Sequence, residues 1–462
     1  MTTFINELPI LEDILDKLIF EDEPTIFNEE FTLEFMESVF HVMEDYMNVN
    51  PNAITEPDFE ETFLEDLKDL YYIQFEYEIM NNEMIEEDMN DILEDAFQIF
   101  ISTFYTERCN GIISYPLDEN VNGTLEKLQI IENKINSLKN KPQPVQRTDE
   151  WYEFRHNLIT ASNAYKVFES QSTVNQLIYE KCQPLKTSIL SEDDEKVKMV
   201  NVNTTLHWGQ KYEPLSVMLY EYLYNTKVDD FGCIQHEDYY FLGASPDGIN
   251  IDKKSHLFGR MLEIKNIVNR EINGIPKKEY WIQMQLQMEV CDLDECDFLE
   301  TKFTEFENET TFFESDVIGH HEKGLIIYFH NIREGKPFYL YKPINIINKE
   351  DILKWEEENI ELYQTQQENG NFNLVYVKSI YWKLEKLSCV LVLRNKNWFE
   401  NNIQSIENVW NIIENERKTG YEHRAPNKKT KKDTLNLANH TIDHFLKSST
   451  GANNGCLINI KY

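Results

Sequence analysis

The chain has 462 residues and a formal net charge of −38, from 82 Asp and Glu against 44 Lys and Arg. Hydrophobic residues make up 41% and aromatics 13%, which excludes wholesale disorder, and the length predicts two or three domains. The apolar runs are short and broken by charge, and MTTFINELPI has no basic stretch leading into an apolar one, so neither a membrane-spanning helix nor a signal peptide is expected. This predicts a protein of the cytoplasmic or nuclear compartment that is not secreted.

The charge is concentrated at the start. Residues 1–100 hold 29 Asp and Glu against Lys17 and Lys68, a net of −27, leaving −11 for the other 362 residues. In ETFLEDLKDLYYIQFEYEIM and NNEMIEEDMNDILEDAFQIFISTFY the apolar residues recur every three or four positions, the period of amphipathic helices with acidic outer faces. A helical acidic region is expected over roughly 1–110. A further helix is expected in NGTLEKLQIIENKINSLKN, and KPQPVQ at 141–146 ends it with two prolines. The expected division is therefore an acidic helical N-terminal domain at 1–140, a core at 141–345, a helical and stranded extension at 346–426, and a basic tail at 427–462. From Arg417 to Tyr462 nine Lys and Arg face Glu422, Asp433 and Asp443, centred on NKKTKKD. A solvated tail and a nucleic-acid contact both fit that cluster.

Between these ends the helical period of LHWGQKYEPLSVMLYEYLY gives way to strand-like FLGASPDGI, RMLEIKNIV, DFLETKF and GLIIYFHN, with the helix KEYWIQMQLQMEV between the second and third. This mixture predicts an α/β (α+β) core. The seven cysteines are scattered, with Cys291 and Cys296 the closest pair, and suit ordinary buried thiols of a reducing compartment. His207, His236 and the His320–His321 pair have no ligand partners at recognisable spacing and are expected to be structural or solvent-facing.

A carboxylate two residues before a lysine recurs at Asp66/Lys68, Glu132/Lys134, Asp252/Lys254, Glu300/Lys302 and Glu416/Lys418, so the spacing alone says little. Glu263/Lys265 differs because it sits in an apolar strand, where side chains two apart share a face. Asp247 follows a proline and precedes a glycine at the start of a neighbouring strand, and a hairpin would bring it beside Glu263. Two carboxylates brought together suit a hard cation such as Mg²⁺, and the ammonium of Lys265 suits a water poised for attack on phosphorus. A surface salt bridge on a two-stranded ribbon fits the same three residues.

Four blocks in order carry a more specific signal: WYEFRHNLITASNAYKVF, HWGQKYEPLSVMLYEYLY, FLGASPDG with LEIK, and YWIQMQLQMEV. Together they resemble the successive motifs of YqaJ-like viral recombinases, a family that includes phage lambda exonuclease and belongs to the PD-(D/E)XK nuclease superfamily. The resemblance covers roughly residues 145–305. It implies a PD-(D/E)XK core, a mixed sheet flanked by helices, with the acidic all-helical region attached. It implies metal ligation by Asp247, Glu263, the backbone carbonyl of Ile264 and Glu213, activation of water by Lys265, and support from Gln283. Arg155 and Ser162 match residues that hold a terminal 5′ phosphate. Plainer readings remain: Glu213 as a surface charge, Gln283 and Gln287 as a polar stripe one turn apart, and Arg155 as a partner of the acidic region. The iron–sulfur nucleases that share this core use a close group of three cysteines, and Cys389 and Cys456 stand alone here, so no iron–sulfur cluster is expected.

The resemblance thus implies a metal-dependent deoxyribonuclease using Mg²⁺, with Mn²⁺ substituting, acting as a 5′–3′ exonuclease on duplex DNA in viral recombination, replication or defence. The expected partners are DNA and further copies of the chain in a dimer or ring trimer, with no membrane, in a host compartment or viral factory. Alternatives are a non-catalytic binding module on a nuclease-like core, an endonuclease, or an RNA-directed nuclease. With residues 1–100 set aside, Arg147, Arg155, Lys166, Lys253, Lys254, Lys265, Lys277 and Lys278 remain to line a basic groove. The acidic block itself suits a solvated add-on, a dock for a basic protein partner, or a DNA mimic that occupies the groove.

Overall fold

The computed structural model describes residues 27–426 except 83, 104–107, 112–120, 145, 147, 186–199, 317–318, 320 and 369–372. The first residues of the acidic block, Arg147, His320, and the basic tail with Cys456 lie outside the described residues.

The acidic region is helical, in Glu29–Val49, Phe59–Gln74, Glu76–Asn81 and Met84–Thr103. The first helix opens on Asn28, whose side chain accepts the Phe31 N–H at 2.9 Å. It buries Phe35, Met36, Val39, Phe40, Met43 and Met47, which meet Phe63, Leu67 and Tyr71 of the second helix and Leu93, Phe97 and Phe100 of the fourth in one apolar core. Each of these large side chains contributes about 1.5–3 kcal/mol by leaving water. The acidic residues lie mainly on the outer faces because burying their charge would cost far more. The next helix, Val121–Asn140, stops just ahead of the prolines that were expected to end it.

Eleven strands follow in chain order among the described residues: β1 (Asn110–Gly111), β2 (Ile159–Thr160), β3 (Val228–Asp229), β4 (Ile234–Gln235), β5 (Leu242–Ala244), β6 (Gly248–Asn250), β7 (Met261–Asn266), β8 (Glu295–Glu305), β9 (Lys323–Asn331), β10 (Lys336–Tyr341) and β11 (Leu374–Leu393). The main sheet runs β10-β9-β11-β8-β7-β6-β3, with β1 also on β11. It is antiparallel except where β7 and β8 run parallel. The helix Lys278–Cys291 supplies the crossover that a parallel pair requires. A small sheet, β2-β5-β4, stands apart.

FLGASPDGI, expected as one strand, is two. Leu242–Ala244 belongs to the small sheet and Gly248–Asn250 to the main one, with Ser245, Pro246 and Asp247 forming the passage between them. Pro246 lacks the N–H that a continuous ladder would need there. Gly248 is required by close approach, since a Cβ at this position would lie 2.1 Å from Val228 Cγ1 of β3.

The chain forms two compact units. Residues up to 165 and 185–410 make the first, so the acidic helices and the mixed sheet belong to one body. Within it the buried Arg108 guanidinium donates to the carbonyls of Ile54 and Thr55 at 3.1 Å each and to that of Pro276. Trp281 donates its indole N–H to the Arg108 carbonyl at 2.9 Å. The second unit combines 166–184 with the described residues from 411 to 426, where Arg424 grips Glu416 through two hydrogen bonds of 2.6 Å and Arg417 donates to the Lys181 carbonyl at 2.8 and 2.9 Å. No described helix is long and apolar enough to cross a membrane.

Candidate active site

The main sheet sets out the site. β6 pairs antiparallel with β7 in the register Gly248↔Leu262 and Ile249↔Met261, which carries Asp247 to the level of Glu263. Along β7, Leu262 and Ile264 pack with Tyr220, Leu257 and Leu299, and the strand's alternation turns Glu263 and Lys265 to the other face. There they meet the helix Lys278–Cys291. The expected hairpin and the shared face of Glu263 and Lys265 are both present.

Glu263 is fully buried and its two oxygens are held separately. Oε1 accepts from Lys265 Nζ and, at 2.7 Å, from Gln283 Nε2, while Oε2 accepts from Gln287 Nε2 at 2.7 Å. Asp247 Oδ2 accepts the Ile264 main-chain N–H at 2.7 Å, so Ile264 is tied to the site through its N–H. Lys265 Nζ also lies 4.8 Å from the centre of the Tyr280 ring, a cation–π contact.

Burial, and then the Glu263 charge, push the Asp247 carboxyl well above the usual carboxylate range; Lys265 and the Ile264 N–H pull the other way, and Glu213 adds to the rise. Burial opposes the charge on Lys265, but Glu263 and Asp247 outweigh it and hold the ammonium protonated above its ordinary range. Two carboxylates crowded in a dry place, balanced by one ammonium, form a donor set that suits a hard divalent cation. Asp247 and Glu263 would hold it. Among the described residues no three His, Cys, Asp or Glu side chains converge at metal-holding spacing, although the Glu213 charge still reaches Asp247. Glu213 is exposed on the helix Thr205–Tyr224, immediately before Pro214, an interior proline that lacks the N–H for the Gln210 carbonyl. The flanking carbonyls of Gly209 and Lys211 accept instead from Asn266 Nδ2 at 3.1 Å and Tyr341 OH at 2.6 Å, which fixes this half of the helix to the sheet.

Arg155 lies at the end of the helix Asp149–His156, 4.6 Å from the Trp151 ring centre, and donates to Ser245 Oγ at 3.1 Å. Ser245 is two residues before Asp247, so Arg155 is attached to the passage that carries the acid. Ser162 is exposed in the four-residue helix Ala161–Ala164, with its hydroxyl 3.3 Å from Thr160 Oγ1, and the parallel pairing of β2 with β5 brings this segment toward the same passage. Of the other cations expected along a groove, Lys253 pairs with Glu132 at 2.5 Å, Lys278 with Glu56 at 2.7 Å, and Lys166 with Glu180 at 2.9 Å. His207 is buried with Nε2 2.6 Å from Tyr339 OH, and His236 Nδ1 accepts the N–H groups of Asp238 and Tyr239, structural roles in both cases.

Sequence reasoning passed over two residues of this arrangement. Gln287, read only as part of a stripe with Gln283, is fully buried and bridges Glu263 Oε2 to the Ser245 carbonyl at 3.2 Å. The signal was the four-residue spacing, which puts both amides on the helix face that covers Glu263. Ser245 was visible only as the residue before a proline.

Comparison with known proteins adds the following. A curated relative, "Uncharacterized protein R354" of Acanthamoeba polyphaga mimivirus, is 29% identical over 312 residues, 61% of this chain and 54% of the relative. The chain thus spans about half the length of that protein. Two solved structures are similar: LHK-Exo in complex with dAMP, at 18% identity with 60% of this chain and 95% of that chain covered, and the alkaline exonuclease LHK-Exo from Laribacter hongkongensis, at 17% with 64% and 100% covered. Both superpose with a TM-score of 0.31. Residues 150–294, which contain Asp247, Glu263, Lys265, Glu213, Gln283, Arg155 and Ser162, match the model of the YqaJ-like viral recombinase domain.

Proposed function

We propose that the protein is a metal-dependent deoxyribonuclease, a 5′–3′ exonuclease on duplex DNA. The observation that carries this reading is the convergence of Asp247, Glu263 and Lys265, with Gln283 on Glu263, inside the matched domain.

A divalent ion, Mg²⁺ or Mn²⁺, held by Asp247, Glu263, the Ile264 carbonyl and Glu213 would supply charge for the phosphate oxygens and lower the pKa of a bound water. The protein's own residues do the rest. Gln283 and Gln287 fix the Glu263 carboxylate in one orientation. Lys265, held protonated between its carboxylates and the Tyr280 ring, orients the attacking water and the phosphate oxygen against each other. Attack at phosphorus breaks its bond to the 3′ oxygen, which leaves with a proton, and the released nucleotide keeps a 5′ phosphate. Arg155 and Ser162 receive the terminal 5′ phosphate, through a planar fork and a hydroxyl. A dimer or ring trimer enclosing the duplex would hold the enzyme on its strand, in the cytoplasm or nucleus of a host cell or in a viral factory.

The test uses end-labelled linear duplex with and without Mg²⁺ or Mn²⁺, comparing the parent with Lys265→Ala and Asp247→Ala. Metal-dependent release of label, abolished by both substitutions, is the expected result. Preference for 5′-phosphate over 5′-hydroxyl ends, lost in Arg155→Ala, is expected for the end-directed reading. A well-folded parent that cuts neither linear, circular nor single-stranded DNA nor RNA overturns the nuclease assignment in favour of a binding module.

A further inference from the structure

Glu300 is a fully buried carboxylate that plays no part in the chemistry above. It lies on β8 directly beside Lys265 of β7 in the parallel register, so the two side chains share the face that carries the site. Its Oε1 is paired with Arg270 Nη2, and its Oε2 is buried with no hydrogen-bond partner among the described residues. A buried carboxylate is expensive unless paired, so this one is stable only while the guanidinium stays against it.

Arg270 itself follows β7 and is partly exposed, with about a quarter of its side chain open to solvent (25%). Its guanidinium centre lies 5.9 Å from the Tyr280 ring centre, the same ring that Lys265 Nζ approaches at 4.8 Å. Nη1 makes one long bond, 3.3 Å, to the Glu271 carbonyl, and Nη2 is held by Glu300. Nε and the remaining N–H groups have no acceptor among the described residues. The result is a cation held at one corner and lying over the Tyr280 ring, with donors left for an outside acceptor next to Lys265. Lys278 on the neighbouring helix is already paired with Glu56, which makes an available fork here the more consequential.

We propose that Arg270 is a substrate-binding residue that takes a non-bridging phosphate oxygen of the nucleic-acid strand adjoining the cleavage position, and that Glu300 is the strut that aims it. This rests on the nuclease reading for its substrate class. A guanidinium meets a phosphate with two parallel N–H bonds, so its orientation matters as well as its charge, and the Glu300 contact at one corner, with the Tyr280 ring nearby, restricts that orientation before substrate arrives.

The experiment reads binding without turnover. Anisotropy of a labelled duplex is followed across a salt series in EDTA, for the parent, for Arg270→Gln combined with Glu300→Gln, and for Arg270→Lys. The paired glutamines remove both charges together, so no carboxylate is left buried alone. Loss of one phosphate contact lowers the salt slope by about 0.9 and weakens binding severalfold. Arg270→Lys keeps the slope and loses affinity, because the charge remains without the fork. Glu300→Gln alone keeps the slope and raises KM on cleavable duplex severalfold; an unchanged KM overturns the role of Glu300. A parent that binds and cuts, with a double variant of unchanged slope, overturns the assignment of Arg270 and leaves the nuclease reading standing. A parent that binds, with the slope reduced in the double variant, but never cuts, supports Arg270 and overturns the nuclease reading.

Discussion

Gln287 donates to Glu263 Oε2 at 2.7 Å while Gln283, one helical turn earlier, donates to Oε1 at the same distance, so the central carboxylate is clasped on both oxygens by a single helix. Gln287 also reaches the Ser245 carbonyl, and thereby ties the passage holding Asp247 to the strand holding Glu263.

Gln287→Leu removes that tie without touching any residue that meets the substrate. Groups that orient a metal-binding carboxylate contribute about 10–100-fold to metal affinity or activity. The expected outcome is a rise of this size in the metal concentration needed for half-maximal cleavage, with circular dichroism unchanged. An unaltered metal titration would show that Gln283 alone suffices.

Asp247→Asn tests the crowding of the two carboxylates. Asp247 is pushed up by burial and by Glu263, so a neutral isostere relieves repulsion in metal-free protein. In EDTA the variant should melt about 1–3 °C higher than the parent, and added Mn²⁺ should shift the parent but not the variant. Equal melting in EDTA, or an equal Mn²⁺ shift, contradicts the site as described.

Lys342 offers a pH signature away from the site. It is buried, donates to the carbonyls of Pro343 at 2.9 Å and Ile346 at 2.7 Å, and burial pulls its ammonium from 10.5 down to about 8. The unfolded chain therefore binds more protons than the folded one between about pH 8 and 10.5, and the linked stability grows with pH across that window and is lost as pH falls through 8. Relative to Lys342→Met, the parent should gain up to about 2 kcal/mol between neutral pH and pH 10. Chemical denaturation at a series of pH values measures it, and a flat difference excludes the shift.

Arg108→Met should destabilise the first unit by about 3 kcal/mol or more, because the carbonyls of Ile54, Thr55 and Pro276 would lose a charged donor in a buried place. Removing residues 1–110 outright would also uncover Trp281, so it is a poor probe of whether the acidic helices restrain cutting. Glu56→Gln is a better one: it frees Lys278 while leaving the fold intact. Faster cleavage by this variant supports restraint by the acidic region, and an unchanged rate opposes it.

Much of this was legible before any coordinates. The acidic helices follow from three- and four-residue spacing, and Glu263 and Lys265 share a face because a strand alternates. The hairpin that sets Asp247 beside Glu263 was signalled by proline and glycine around the acid. What escaped depends on distant pairings. Ser245 and Gln287 acquire their roles only when the small sheet, the passage and the 278–291 helix meet. Likewise the pairing of Arg270 with Glu300 needs the β7–β8 register, which no local pattern encodes. The split of FLGASPDGI was missed because both halves are short and apolar, and only their partners distinguish them.

β11 spans twenty residues and lies between β8 and β9, pairing with β8 along Trp382–Leu393 and with β9 along Leu374–Lys383. During synthesis, β8 and β9 leave the ribosome long before the strand that must come between them. Until residue 393 has emerged, each holds an open edge facing a gap, a template for mispairing with any extended segment nearby. The sheet beneath Glu263 is therefore completed late. A product truncated before residue 393 would lack a finished platform for the carboxylates.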